Sequence, residues 1–163
     1  MRGDTVKQAL TSAALLLLLA GCGGTPLQPM GGLNEQLQRA GNGRAPSLGL
    51  GWLAWISGRA GREQVQLVEL SRGAPVPLPG LNRPDAQPLS VSVDGRGERL
   101  ALVRQLDGRT ELVLYRRSLQ TLQPLPMEPP GVPRQVQLSA NGRLLAVQVS
   151  RGGLWQVDLI ELP

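Results

Sequence analysis

From about residue 46 to the end of the chain, short runs of Val, Leu, Ile and Ala are broken every few residues by Gly, Pro, Asn or Asp. That pattern predicts many short β-strands joined by tight turns. Leu53-Ala54-Trp55-Ile56 is echoed by Leu100-Ala101-Leu102-Val103 and by Leu145-Ala146-Val147-Gln148, with the alanines 47 and 45 residues apart. A second apolar run follows each: residues 65–70, 111–116 and 157–162, in which Leu67, Val113 and Leu159 recur at 46 and 46. Two landmarks sharing one period of about 46 residues predict three copies of one supersecondary unit, spanning roughly 46–87, 88–133 and 134–163.

Ser92-Val93-Asp94-Gly95 and Ser139-Ala140-Asn141-Gly142 precede the second and third alanines. Asp-Gly and Asn-Gly accept positive φ cheaply, so each is expected to turn a hairpin, and Asp94 is read as a turn residue. In the second repeat the strands are expected near 89–93, 99–104, 111–116 and 121–125, ahead of a Pro-rich passage through Pro133. The first repeat lacks the dipeptide, and its opening strand is placed near 48–50. In the third repeat only Pro163 follows Leu162, so the outer strand is missing. Residues 25–30, which echo 121–127, are the candidate to supply it.

Ser-x-Asp-Gly, then Leu-Ala-Leu-Val, a Gly-containing loop and Leu-Val-Leu-Tyr, as they stand in residues 92–115, resemble the repeat of TolB-type β-propellers; residues 139–162 are a looser copy. The resemblance covers 46–163 and implies an all-β fold of about three four-stranded, propeller-like blades. Closed propellers have four to eight blades. The expectation is therefore an incomplete propeller, or half of a six-bladed dimer.

The first 24 residues read differently. Arg2 and Lys7 lead into the apolar run Ala13-Ala14-Leu15-Leu16-Leu17-Leu18-Leu19-Ala20, which is too short to span a bilayer permanently and reads as the core of a signal peptide, residues 1–21. Leu19-Ala20-Gly21-Cys22 resembles the lipobox of bacterial lipoproteins. That resemblance implies a diacylglyceryl group and further acyl chain on Cys22, and two chains hold a protein firmly on a membrane. Gly23 rather than Asp after the cysteine implies the outer membrane over the inner, with the domain facing the periplasm. Residues 22–45, rich in Gly, Pro, Gln and Asn apart from a weak helical stretch at 33–39, are expected to be a flexible tether.

Composition narrows the chemistry. With one cysteine and no histidine in 163 residues, neither a Cys/His zinc site nor a Ser-His or Cys-His nucleophile can be assembled. No metal or small-molecule cofactor is expected beyond the lipid on Cys22, and no catalytic residue is assigned. The net charge is +5, and removing residues 1–21 takes away Arg2, Lys7 and Asp4. The remaining basic residues are all arginines, scattered singly among Asp and Glu, a solvated pattern rather than a nucleic-acid surface. With no Phe, one Tyr and three Trp, base stacking lacks its platform, and Trp52, Trp55 and Trp155 are expected inside the core. The sequence thus points to a non-enzymatic, lipid-anchored envelope module that binds or scaffolds proteins, with an envelope protein or a second copy as partner. Binding of a glycan or another envelope polymer is the alternative, and would require exposed Trp; an enzyme or its noncatalytic subunit is the third reading, and would require polar residues converging in a pocket.

Overall fold

The computed structural model describes Gly24 and residues 26–163. The stretch read as a signal peptide, Cys22 and Thr25 lie outside the described residues, and residues 26–30 carry no strand. One compact unit runs from Gly31 to Pro163. It is all-β apart from a single described helix, α1 (Gly31–Arg39).

Three antiparallel sheets follow in chain order. Blade 1 consists of β1 (Asn42–Leu48), β2 (Trp52–Arg59) and β3 (Arg62–Glu69). A fourth segment is rudimentary there: Val68 bridges Pro75, and the Val76 N–H donates to the Leu67 carbonyl. Blade 2 has all four strands, β4 (Ala86–Val93), β5 (Arg99–Leu106), β6 (Arg109–Arg116) and β7 (Thr121–Pro124). Blade 3 has β8 (Val132–Leu138), β9 (Leu144–Arg151) and β10 (Leu154–Glu161), with no fourth strand among the described residues. This is an incomplete, propeller-like fold.

Two expectations shift at the start of the domain. The opening strand of the first repeat is residues 42–48 rather than 48–50, so β1 begins inside the stretch read as tether. The weak helical stretch is real and extends back to Gly31.

The turn chemistry follows the dipeptides only in part: Gly142 of Asn141-Gly142 has positive φ, whereas the tightest turns lie elsewhere. Two-residue turns join β2 to β3, β5 to β6 and β9 to β10, and all six central residues have positive φ: Ala60 and Gly61, Asp107 and Gly108, Gly152 and Gly153. These are the type I′ turns that match strand twist. Asp94-Gly95 instead opens a five-residue loop, in which the positive φ belongs to Gly97. Asp94 is buried, and its Oδ1 accepts from the N–H groups of Arg96 (3.3 Å) and Glu98 (2.8 Å). Its carboxylate is spent on holding the loop. Gly95 is required by close approach: a Cβ there would stand 2.8 Å from the Ala140 carbonyl oxygen, which accepts the Gly95 N–H.

The ladders correct one landmark of the repeat. Ala54, Ala101 and Ala146 stand opposite Leu67, Leu114 and Leu159. Leu114, not Val113, is thus the equivalent position, and both landmarks then share the 47 and 45 spacing.

Stacking of the sheets makes two cores. Ala54, Ile56, Val65 and Leu67 of blade 1 meet Val91, Val93, Leu100, Leu102, Val113 and Tyr115 of blade 2. On the opposite face of blade 2, Ala101, Val103, Leu112 and Leu114 meet Leu138, Leu145 and Val147 of blade 3. Blade 2 is buried on both faces, which is why its central strands read as unbroken apolar runs. The innermost strands of neighbouring blades are stitched by serines: Ser47 Oγ accepts the Val93 N–H (3.1 Å), and Ser92 Oγ the Leu138 N–H (2.8 Å). A further latch is Arg44, which holds Glu63 within its blade and donates to the Pro88 and Leu89 carbonyls of blade 2.

Candidate functional site

Each blade has one face that looks toward the next blade and one that looks toward the previous one. In the ladder register, the forward face of blade 1 is Ala54, Ile56, Val65 and Leu67, and that of blade 2 is Ala101, Val103, Leu112 and Leu114. All eight are buried. The same positions in blade 3 are Ala146, Gln148, Val157 and Leu159. There Val157 is 70% exposed and Leu159 68% exposed. Trp155, two residues along the same strand, is 59% exposed. Strand alternation puts Trp155, Val157 and Leu159 in one stripe on β10, beside Ala146, Gln148 and Ser150 of β9.

The backward face of blade 1 is treated differently. Its Trp55 and Val68 are buried, although no blade precedes them among the described residues. The helix α1 lies there: Leu33 and Leu37, one turn apart, line a crevice with Trp55, Val68 and the 72–75 turn, and Leu37 lines a second with Leu53 and Trp55. Among the described residues, α1 lies beside one end of the three-blade stack and the other end is bare. A six-bladed ring closed head to tail would need the face that α1 occupies.

The tryptophans therefore split. Trp55 is buried as expected. Trp52 is half-buried against the first core, with the Arg117 guanidinium 5.0 Å from its ring centroid. Trp155 is exposed, contrary to the sequence reading, because none of the described residues lies over its blade face. Its neighbours Val157 and Leu159 signal burial in the sequence, and only the sheet order reveals that they are open.

Several arginines are taken up in ion pairs within the fold. Arg44 pairs with Glu63, Arg83 with Asp85, Arg104 with Glu111, Arg117 with Glu98 and Arg151 with Asp158. Hydrogen bonds from Arg44 hold the Glu63 carboxyl below the usual carboxylate range, and those from Arg151 do the same for Asp158. Arg151 also donates to the Pro129 and Pro130 carbonyls, which ties the inter-blade connection to blade 3. These are structural pairs that fasten strands and loops.

Three further concavities are present, one of them an apolar hollow of about 440 Å³ against Leu112, Leu125 and Met127. A groove of about 340 Å³ runs along the innermost strands between Ser47, Ser90, Ser92, Gln135 and Gln137. Its serines are already engaged in the inter-blade stitching. The third, of about 400 Å³, lies among Arg62, Glu63, Asp85, Gln87 and Asp107 at the hairpin end. Among the described residues no three His, Cys, Asp or Glu side chains gather as a metal-binding set. The blade 3 face, adjoining the outer edge of β10, is the surface whose chemistry most clearly calls for a partner.

No family model and no curated protein sequence matches the chain. Among solved structures, the crystal structure of TolB from Acinetobacter baumannii is similar, with a TM-score of 0.57 at 17% identity. The likeness covers 75% of this chain and 30% of that one, so the chain spans under a third of the TolB it matches. At this identity the likeness concerns the fold alone. It agrees with the TolB-like, all-β architecture.

Proposed function

We propose that this protein is a membrane-anchored lipoprotein of the bacterial envelope whose propeller-like domain is a non-catalytic protein-binding module. Lipid on Cys22 would fix the chain to a membrane with the domain facing the periplasm, the outer membrane being slightly favoured by Gly23. The observation that carries the binding role is the bare forward face of blade 3, where Val157 and Leu159 stand exposed at positions buried by the next blade elsewhere in the chain. An apolar sheet face of this kind is covered in use by another protein surface. Scaffolding by such a face needs no catalytic residue.

The exposed Trp155 supports a second reading, binding of a glycan or another envelope polymer. Protein is the first reading because the apolar stripe continues from Trp155 to Val157 and Leu159, although Ser150 and Gln148 of β9 lie beside it on the same face.

Crosslinking of the lipidated protein in intact cells, followed by mass spectrometry, tests the reading. Protein adducts mapping to β9 and β10 are expected. Adducts confined to glycan, or to the opposite end of the stack, would overturn it. Anchoring is tested separately: Cys22→Ser should leave the chain unlipidated and uncleaved, and a Cys22→Ser form that was still processed after Gly21 and stayed membrane-bound would remove Cys22 from its role.

A further inference from the structure

We infer that the partner of the blade 3 face is a second copy of this chain, packed face to face about a two-fold axis. The inference rests on the protein-binding reading above and names the partner.

The first argument is what the two ends of the stack can accept. A blade face in this fold is covered by another blade, as the two cores show. Head-to-tail joining of copies would put the forward face of blade 3 against the backward face of blade 1, where Trp55 and Val68 are already buried with α1 beside them. The bare blade face that one copy offers another is therefore its own blade 3. An isologous contact covers both such faces at once and closes, leaving no end from which filaments could grow.

The chemistry at the centre of the face is self-complementary. Gln148 stands where blades 1 and 2 carry Ile56 and Val103, opposite Val157 in the ladder. A carboxamide is both donor and acceptor, so two Gln148 side chains meeting near a two-fold axis can satisfy each other. Trp155, Val157 and Leu159 flank it on β10, with Gln135 and Gln137 of β8 on the other side, a polar margin beside an apolar stripe.

The area is sufficient. Val132, Leu144, Trp155, Val157 and Leu159 are each 44–70% exposed, and at about 60–120 Å² per aliphatic side chain and roughly 200 Å² for Trp they offer some 300–400 Å² of apolar surface per copy. With apolar atoms supplying about 56–65% of an interface, two copies would bury roughly 900–1,400 Å² in total, from the size of weak, transient contacts up to the lower part of the range for specific complexes. A reversible dimer is the consequence, helped by confinement of both copies to one membrane plane.

The test places a photoreactive benzophenone amino acid at Val157 (Val157→p-benzoylphenylalanine) in the full lipidated chain, in its own membrane, and as a control at Glu35 on α1. The expected result is a self-adduct of twice the chain mass from position 157 and none from position 35. Adding Leu159→Glu should reduce the adduct at least tenfold while circular dichroism stays unchanged. Adducts from position 157 to a different protein would overturn the second copy as partner and leave the protein-binding reading standing. No protein adduct from position 157 would overturn both. A self-adduct indifferent to Leu159→Glu would overturn the face-to-face contact.

Discussion

Replacing Leu114 and Leu159 by alanine, one at a time, puts the same truncation at the same repeat position with and without a covering blade. Both leucines stand opposite the alanine of their ladder, Ala101 and Ala146. Leu114 is 0% exposed within the second core and Leu159 is 68% exposed. Truncating a fully buried Leu removes its transfer energy and leaves a cavity, about 2–5 kcal/mol in all. Taking about 3 kcal/mol as typical for Leu114, the one-third of Leu159 that is buried scales to about 1 kcal/mol or less. With an m value of about 2 kcal/mol per molar urea, the midpoints should fall by roughly 1.5 M and under 0.5 M. Unfolding followed by tryptophan fluorescence at submicromolar protein measures both. If the second copy packs as inferred, raising the concentration should widen the Leu159→Ala deficit and leave the Leu114→Ala deficit unchanged. Equal deficits at every dilution would refute the reasoning, because Leu159 would then be as buried within one chain as Leu114 is.

Three further outcomes follow from individual contacts. Gly97→Ala should cost more than about 2 kcal/mol, combining left-handed strain of about 1–2 kcal/mol with a steric clash, since φ is +65° and a new Cβ would fall 2.3 Å from the Trp52 ring; Gly108→Ala, at φ +72° with open space around it, should show the strain alone in thermal unfolding. Tyr115→Phe should destabilise by about 1–3 kcal/mol in urea titration, because the fully buried hydroxyl donates to the Pro79 carbonyl at 2.8 Å and its loss strands that acceptor. The Glu63 carboxyl is held low by Arg44, so its contribution to stability is present above the ordinary Glu value of about 4.3 and is lost as pH falls through the lower folded value; Glu63→Gln should flatten the acid limb of a stability-versus-pH curve, and an unchanged limb would show the pair to be idle.

Much of the fold was legible because a half-buried strand must alternate and a doubly buried one must not. Blade 2, packed on both faces, wrote its strands into unbroken apolar runs, and its four strands were placed to within three residues at each end. Blade 1 was read less well. β1, Asn42-Gly43-Arg44-Ala45-Pro46-Ser47-Leu48, carries little apolar signal, since it holds its place through the Arg44 and Ser47 hydrogen bonds to β4. Asp94-Gly95 was found as a turn, but whether a dipeptide makes a two-residue or a five-residue connection depends on the loops packed against it, here Leu50 and Ala140.

The candidate site was the least legible part. Val157 and Leu159 repeat the apolar character of Leu112 and Leu114, so the pattern alone counts them as core, and Trp155 with them. Periodicity along a chain determines which residues share a face of a strand, because alternate side chains must point to the same side. It cannot determine what lies across that face, since the covering element comes from a distant part of the chain or from another molecule. By itself the sequence settled the period, the blades and the absence of histidine chemistry. Only the tertiary structure decided that α1 lies beside one end of the stack while the other, among the described residues, is bare, because that depends on which surfaces remain once every sheet has found its neighbour.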